Sequence, residues 1–169
     1  VTSVYRAPAD LAQGSHIEGL PLGTRGGVLI RHYFPLDGEY ELDVFLLRNI
    51  VGYMTGLEWA HELEIAIDGQ RVFLAQVGGE ADNARSDENM SAAANEIDAR
   101  LRTRTFVTAG PHDVTVAFLE RSAAETHEPL ELHTRNLDLQ DMNGLPLLDY
   151  VNVRGPFNAV GPGDTPSRQ

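Results

Sequence analysis

The sequence predicts an all-β domain, an antiparallel β-sandwich of the jelly-roll type with one short inserted helix. Three observations lead to this fold class. Apolar and polar residues alternate in seven segments, turn-forming residues separate many of these segments, and little of the intervening sequence is typical of helix. Strands joined in this way favour an antiparallel sandwich over a parallel sheet, which needs helical crossovers.

The first two predicted strands are 28–34 and 39–47, separated by a Pro-Leu-Asp-Gly turn. In the second strand Leu42 and Val44 share one face with other apolar residues, whereas Glu41 lies on the opposite face. This alternation is typical of a strand with one buried side.

The strongest local signal is a hairpin over 61–77, in which Asp68-Gly69 supplies the positive φ that a tight turn requires. An Ala-rich stretch at 86–101, with Ser86 or Asp87 as N-cap, predicts the inserted helix. The remaining predicted strands are 100–107, 113–120 and 147–153.

Composition restricts the possible functions. The formal net charge of -12 and the pI of about 4.8 argue against nucleic-acid binding, and divalent cations or neutral ligands fit this charge better. Without Lys or Cys, the chain has no amine for a Schiff base and no thiolate nucleophile. No apolar run is long enough for a membrane span.

Several residues are candidates for a site. Asp138, Asp141 and Asn143 are oxygen ligands at short spacing before the last strand, which suits either calcium or a solvated acidic loop. Trp59 either stacks on a sugar ring or caps the core. His61 opens a His-Glu-Leu-Glu stretch that lacks the second His of the helical zinc motif.

Three arginines, Arg100, Arg102 and Arg104, alternate along one predicted strand. They either grip an anionic ligand or pair with carboxylates on neighbouring strands, such as Glu41 and Asp43. The glycines of GTRGG at 23–27 suggest a turn, because a strand follows them and a phosphate loop needs a helix there.

The segments DGEYELDVFLLRN, HELEIAIDGQRV, VTAGPHDVTVAF and LLDYVNVRG resemble the strand pattern of β-sandwich carbohydrate-binding modules, in particular the calcium-dependent xylan-binding type. The resemblance covers roughly residues 28–155. It implies a calcium ion at Asp138 and Asp141, with Asn143 as a further ligand, and a second, structural calcium at Asp149. Calcium is therefore the expected cofactor and a polysaccharide or oligosaccharide the expected partner.

A second resemblance covers nearly the whole chain. The segments IEGLPLGTRGGVLIRHYFPLDGEYEL, GLEWAHELEIAIDGQRV, AGPHDV and GPFNAVGPGDTPSR are similar to an internal part of multidomain bacterial proteins that also carry planctomycete-type cytochrome c domains. It implies a secreted or cell-envelope location and neighbouring domains in the same chain. Haem would belong to those other domains, because this sequence has no C-x-x-C-H motif.

We therefore expect an N-terminal extension at 1–27 packed on the domain, a sandwich module at 28–155, and a Gly/Pro-rich linker at 156–169. The expected function is non-catalytic, calcium-assisted binding of a plant-type polysaccharide, xylan-like or a related β-glycan. Two alternatives stay open. One is a structural module that positions neighbouring domains, and the other is an enzyme using metal-assisted chemistry around His61.

Overall fold

The architecture comes from a computed structural model that describes residues 1–8, 13–120 and 145–159. Within these residues it contains eight strands and two helices. The elements are β1 (Thr2–Arg6), β2 (Thr24–Phe34), β3 (Gly38–Leu46), β4 (His61–Ile67), β5 (Gln70–Val77), α1 (Glu80–Glu88), α2 (Met90–Arg100), β6 (Arg102–Val107), β7 (Gly110–Leu119) and β8 (Leu148–Phe157).

The strands form two four-stranded antiparallel sheets. Sheet A has the order β1-β8-β3-β6 and sheet B the order β2-β7-β4-β5. The first strand pairs with the eighth, the second with the seventh, the third with the sixth and the fourth with the fifth. This is the pairing of one long hairpin rolled into two sheets, so the predicted jelly-roll sandwich is confirmed.

The core lies between the sheets because each central strand turns its alternate apolar residues inward. Leu42 and Val44 of β3 are fully buried, as are Ile65 of β4 and Phe118 of β7. Helix α2 adds Ile97 to the same cluster. The opposite face of sheet A, called its outer face below, carries the polar residues of the same strands.

Some elements differ from the prediction. The stretch 86–101 is not one helix, because α1 and α2 meet at Asn89, which has an extended backbone. The Asn89 side chain accepts a hydrogen bond from the Ala92 N–H and caps α2. Arg100 ends α2, so the strand predicted from residue 100 begins at Arg102.

Strands also lie outside the residues predicted for the module, 28–155. β1 lies within the stretch predicted as an extension, and β8 continues to Phe157. The prediction of a turn at GTRGG was wrong in part, because β2 begins at Thr24 and passes through a bulge between Arg25 and Val28. In the part of the chain that the structure describes, no helix has the length and apolar composition needed to cross a membrane.

Candidate functional site on the outer face of sheet A

The predicted site residues fall in different places. Asp138, Asp141 and Asn143 lie outside the described residues. Trp59 lies between β3 and β4 with 37% of its surface exposed. Asp149 lies on β8 and lines a cleft together with Tyr150, whereas Trp59 does not line it.

His61 is buried at the start of β4, with both ring nitrogens in contact with other groups. Its Nε2 lies 3.1 Å from the Gly56 carbonyl oxygen, and its Nδ1 lies 3.2 Å from an Arg25 nitrogen. Because a guanidinium can only donate, Nδ1 accepts and Nε2 carries the proton that is donated to Gly56. These contacts describe a core histidine that fixes two chain segments.

The outer face of sheet A carries five charged side chains in contact, called here the charged lattice: Glu41, Asp43, Arg102, Arg104 and Arg154. The register of β3 with β6 sets Glu41 opposite Arg104 and Asp43 opposite Arg102, while β8 sets Arg154 opposite Glu41. The predicted cross-strand pairing of Arg102 and Arg104 with Glu41 and Asp43 is therefore confirmed. Arg154 contacts both carboxylates, lying 2.8 Å from Asp43 Oδ2.

The two carboxylates of the charged lattice differ in acidity. Burial raises the pKa of Asp43, and the nearby Arg102 and Arg154 only partly offset this. At Glu41 burial also acts upward, but Arg154, a hydrogen bond with the Asp43 side chain and the other arginines outweigh it and hold the pKa below its usual range. Glu41 is thus the stronger acid of the pair.

Beside the charged lattice, a cleft of about 530 Å³ opens between sheet A and α2. We call it the aromatic cleft, because Phe45 of β3 and Tyr150 of β8 are cross-strand partners in its lining. Arg102 also lines it and so belongs to both features. Helix α2 contributes Asn95, Asp98 and Ala99 to the opposite side.

The two rings are stacked, with centroids 4.4 Å apart and planes inclined by 13°. The guanidinium of Arg6 lies 4.9 Å from the Tyr150 ring centroid. Because β1 and β3 flank β8 on opposite sides, Arg6 and Phe45 cover opposite faces of Tyr150. The face of Phe45 turned away from Tyr150 has no ring or guanidinium contact among the described residues.

Helix α2 is held against the end of β3 by its own polar groups. The Leu46 N–H donates to Asp98 Oδ1 at 3.3 Å, and the Val44 N–H donates to the Leu101 carbonyl at 2.9 Å. Arg48 donates to Asp98 Oδ2 at 2.7 Å and to Asn95 Oδ1 at 2.9 Å. Burial raises the pKa of Asp98, and the Arg48 contact acts in the opposite direction.

Asp149 was predicted to hold a structural calcium ion. Its carboxylate lies 3.6 Å from Arg6, and it shares the aromatic cleft with Asp98. Across the described ranges, no group of three His, Cys, Asp or Glu residues could hold a metal ion.

Phe45 and Tyr150 were not predicted as site residues. A signal was present in the sequence, because Phe45 shares the parity of Glu41 and Asp43 in β3. An aromatic residue on an otherwise charged strand face either packs on a neighbouring side chain or forms part of a binding site.

Comparison with known proteins gives no relative: no protein-family model, curated protein or solved structure matches the chain.

Proposed function

We propose that the chain is a non-catalytic carbohydrate-binding module that binds a plant-type polysaccharide, xylan-like or a related β-glycan, with the help of calcium. The aromatic cleft is the proposed contact site for the sugar. The jelly-roll fold and the composition of this cleft support the proposal.

The observation that carries it is Phe45, a partly exposed ring on the outer face of sheet A that lines the aromatic cleft. One face of this ring rests on Tyr150, which in turn rests on Arg6, so the ring is held in one orientation before any ligand arrives. A sugar ring presents C–H groups on its faces and hydroxyls at its edge. A fixed aromatic plane surrounded by polar groups matches both features.

The polar groups around Phe45 are suited to sugar hydroxyls. Asn95 and Asp98 lie on α2, and Arg48 links both of them. Asp149 adds a partly exposed carboxylate on the β8 side. Because hydroxyls both donate and accept hydrogen bonds, a mixed set of amide, carboxylate and guanidinium groups can satisfy several of them.

Calcium enters the proposal through Asp138, Asp141 and Asn143, with Asp149 as the predicted second site. Support comes from the ligand types, because carboxylate and amide oxygens are the ligands that calcium prefers. The net charge of -12 also favours the binding of divalent cations.

The test uses Phe45→Ala against a matched control, Phe106→Ala. Phe106 is 57% exposed on the same face of sheet A but does not line the aromatic cleft. In affinity electrophoresis through soluble xylan with calcium, we expect Phe45→Ala to weaken binding by about tenfold or more. Phe106→Ala should bind like the unmutated chain. Equal retardation of all three proteins would place the sugar elsewhere.

A second candidate function is a structural module that positions neighbouring domains and binds no sugar. The observation in its favour is exposed apolar surface at both edges of the outer face, at Val4 (52% exposed) and Phe106 (57% exposed). If the unmutated chain is not retarded by xylan or by other soluble polysaccharides with calcium present, this function replaces the first.

A further inference from the structure

The charged residues that line the aromatic cleft are not equally engaged. Asp98 accepts hydrogen bonds from Arg48 and from the Leu46 N–H. Asp149 faces Arg6 at 3.6 Å. These groups therefore already have partners within the protein.

Arg102 is different. Its Nε lies 2.8 Å from Asp43 Oδ1 and 3.2 Å from Glu41 Oε1, yet none of its N–H groups makes a directed hydrogen bond with the described residues. The side chain is 51% exposed. The Nε of Arg102 thus faces the two carboxylates, whereas its Nη groups have no hydrogen-bond partner among the described residues, and the side chain lines the aromatic cleft.

The charged lattice also holds Arg102 in place. The Asp43 side chain is only 4% exposed and that of Glu41 only 12%, so both carboxylates anchor the guanidinium from below the surface. Three guanidiniums surround these two carboxylates. Arg104 also lies 3.9 Å from Glu39 Oε2, whereas the two carboxylates next to Arg102 are shared with Arg154 and, for Glu41, with Arg104.

This position is beside Phe45, on the side of β3 away from Tyr150. Arg102 is the cross-strand partner of Asp43, and Phe45 follows Asp43 by two residues on the same face of β3. Diagonal neighbours of this kind lie about 7–8 Å apart, within reach of one ligand. A planar guanidinium fork with free donors matches the geometry of a carboxylate.

We propose that the aromatic cleft selects glycans that carry uronic acid residues. The sugar ring stacks on Phe45, and its carboxylate accepts a bidentate pair of hydrogen bonds from Arg102. This proposal rests on the proposed carbohydrate-binding function and narrows its ligand to an acidic polysaccharide.

The test compares a glucuronoxylan with the same polymer after its carboxyl groups have been reduced to alcohols, using affinity electrophoresis and calorimetry with calcium present. We expect the acidic polymer to bind about tenfold more tightly or better, because hydrogen bonds to charged groups are strong. Arg102→Gln should remove this preference, so that the affinities for the acidic and the reduced polymer come within about twofold of each other.

The control is Arg104→Gln, which removes the same charge from the charged lattice but from a residue outside the aromatic cleft. It should keep the preference for the acidic polymer. Arg102→Lys keeps the charge without the fork, so we expect only part of the preference to remain. This variant is the deciding one if Arg102→Gln loses the native circular dichroism spectrum.

Equal binding of both polymers by the unmutated chain would overturn the uronate proposal and leave carbohydrate binding standing. Loss of the preference to the same extent in Arg104→Gln would also overturn it, because net charge alone would then explain the selectivity. Binding of neither polymer would overturn the proposed function as well.

Discussion

At the scale of single residues, Asp68 combines a turn conformation with a charge. It has a φ of 50° in the turn between β4 and β5. Its Oδ1 accepts from the Asp113 N–H at 2.9 Å, and its Oδ2 lies 2.5 Å from His112 Nδ1. The hydrogen bond to Asp68 raises the pKa of His112, and the same bond lowers the pKa of Asp68.

These shifts give the pair a defined pH window. The stabilisation of the fold by protonated His112 is fully present below the ordinary pKa of 6.5. It is lost as the pH rises through the raised pKa of His112 in the folded protein. The stabilisation of the fold by ionised Asp68 is fully present above the ordinary pKa of 3.8. It is lost as the pH falls through the lowered pKa of Asp68 in the folded protein. Both contributions are complete only between these two ordinary values.

We therefore predict that Asp68→Asn destabilises the domain most within that window, by roughly 0.2–1 kcal/mol, because solvent screens the half-exposed Asp68 carboxylate. The difference should shrink as the pH rises through the raised pKa of His112. Asn tolerates the left-handed backbone and can still accept from Asp113, so the turn itself is kept. Urea unfolding of both proteins from pH 5 to 9 measures the difference. If the two proteins differ in unfolding free energy by the same amount at every pH, the charged interaction between Asp68 and His112 does not stabilise the domain.

Some contacts between the charged residues of sheet A could be predicted from the sequence, and others could not. Arg102 and Arg104 could be paired with Glu41 and Asp43, because alternation alone places outward residues of adjacent strands side by side. Arg154 could not be included, since its strand was predicted to end at residue 153. The Phe45–Tyr150 stack depends on the register between β3 and β8, which the sequence does not specify.

At the scale of elements, the bulge in β2 depends on Gly27. Its φ is +91°, and a Cβ at this position would lie 2.0 Å from the Val116 carbonyl oxygen on β7. Gly69 has a similar φ of +82° but nothing within 4 Å of the same position. A substitution at Gly27 would therefore cause both backbone strain and a clash with β7, whereas a substitution at Gly69 would cause the strain alone.

We predict that Gly27→Ala lowers the free energy of unfolding by about 2–5 kcal/mol, because strain and overpacking act together. Gly69→Ala should cost only the strain, about 1–2 kcal/mol. Urea unfolding with circular dichroism measures both. Equal losses in the two variants would mean that β7 moves aside without cost.

Predictability of the elements follows the strength of their local pattern. β3 and the β4–β5 hairpin were predicted within one or two residues, because alternation and an Asp-Gly turn specify them locally. Helix α1 was missed since Ser86 is its buried residue and no apolar stripe marks the helix. β1 was missed because it has five residues and its partner β8 lies at the far end of the chain.

At the scale of the whole molecule, the net charge of -12 favours the binding of a divalent cation such as calcium. We predict that calcium raises the melting temperature and that a chelator lowers it. An ion bound only by the native state adds about 2.7 kcal/mol at a hundredfold excess over Kd. Magnesium at the same concentration is the control, because it demands a stricter geometry. Superimposable melting curves in calcium and in chelator would exclude a calcium site of useful affinity.

The pairing of β1 with β8 has a mechanical consequence. The two strands are antiparallel, and the Gly155 N–H donates to the Val1 carbonyl at 3.2 Å, so the start of β1 and the end of β8 lie side by side. Tension applied to these two points would load the backbone hydrogen bonds one after another, because in an antiparallel pair they run across the strands. β1 would peel away at low force, while the seven other strands keep their pairing and the aromatic cleft loses the two contacts of Arg6, with the Tyr150 ring and with Asp149.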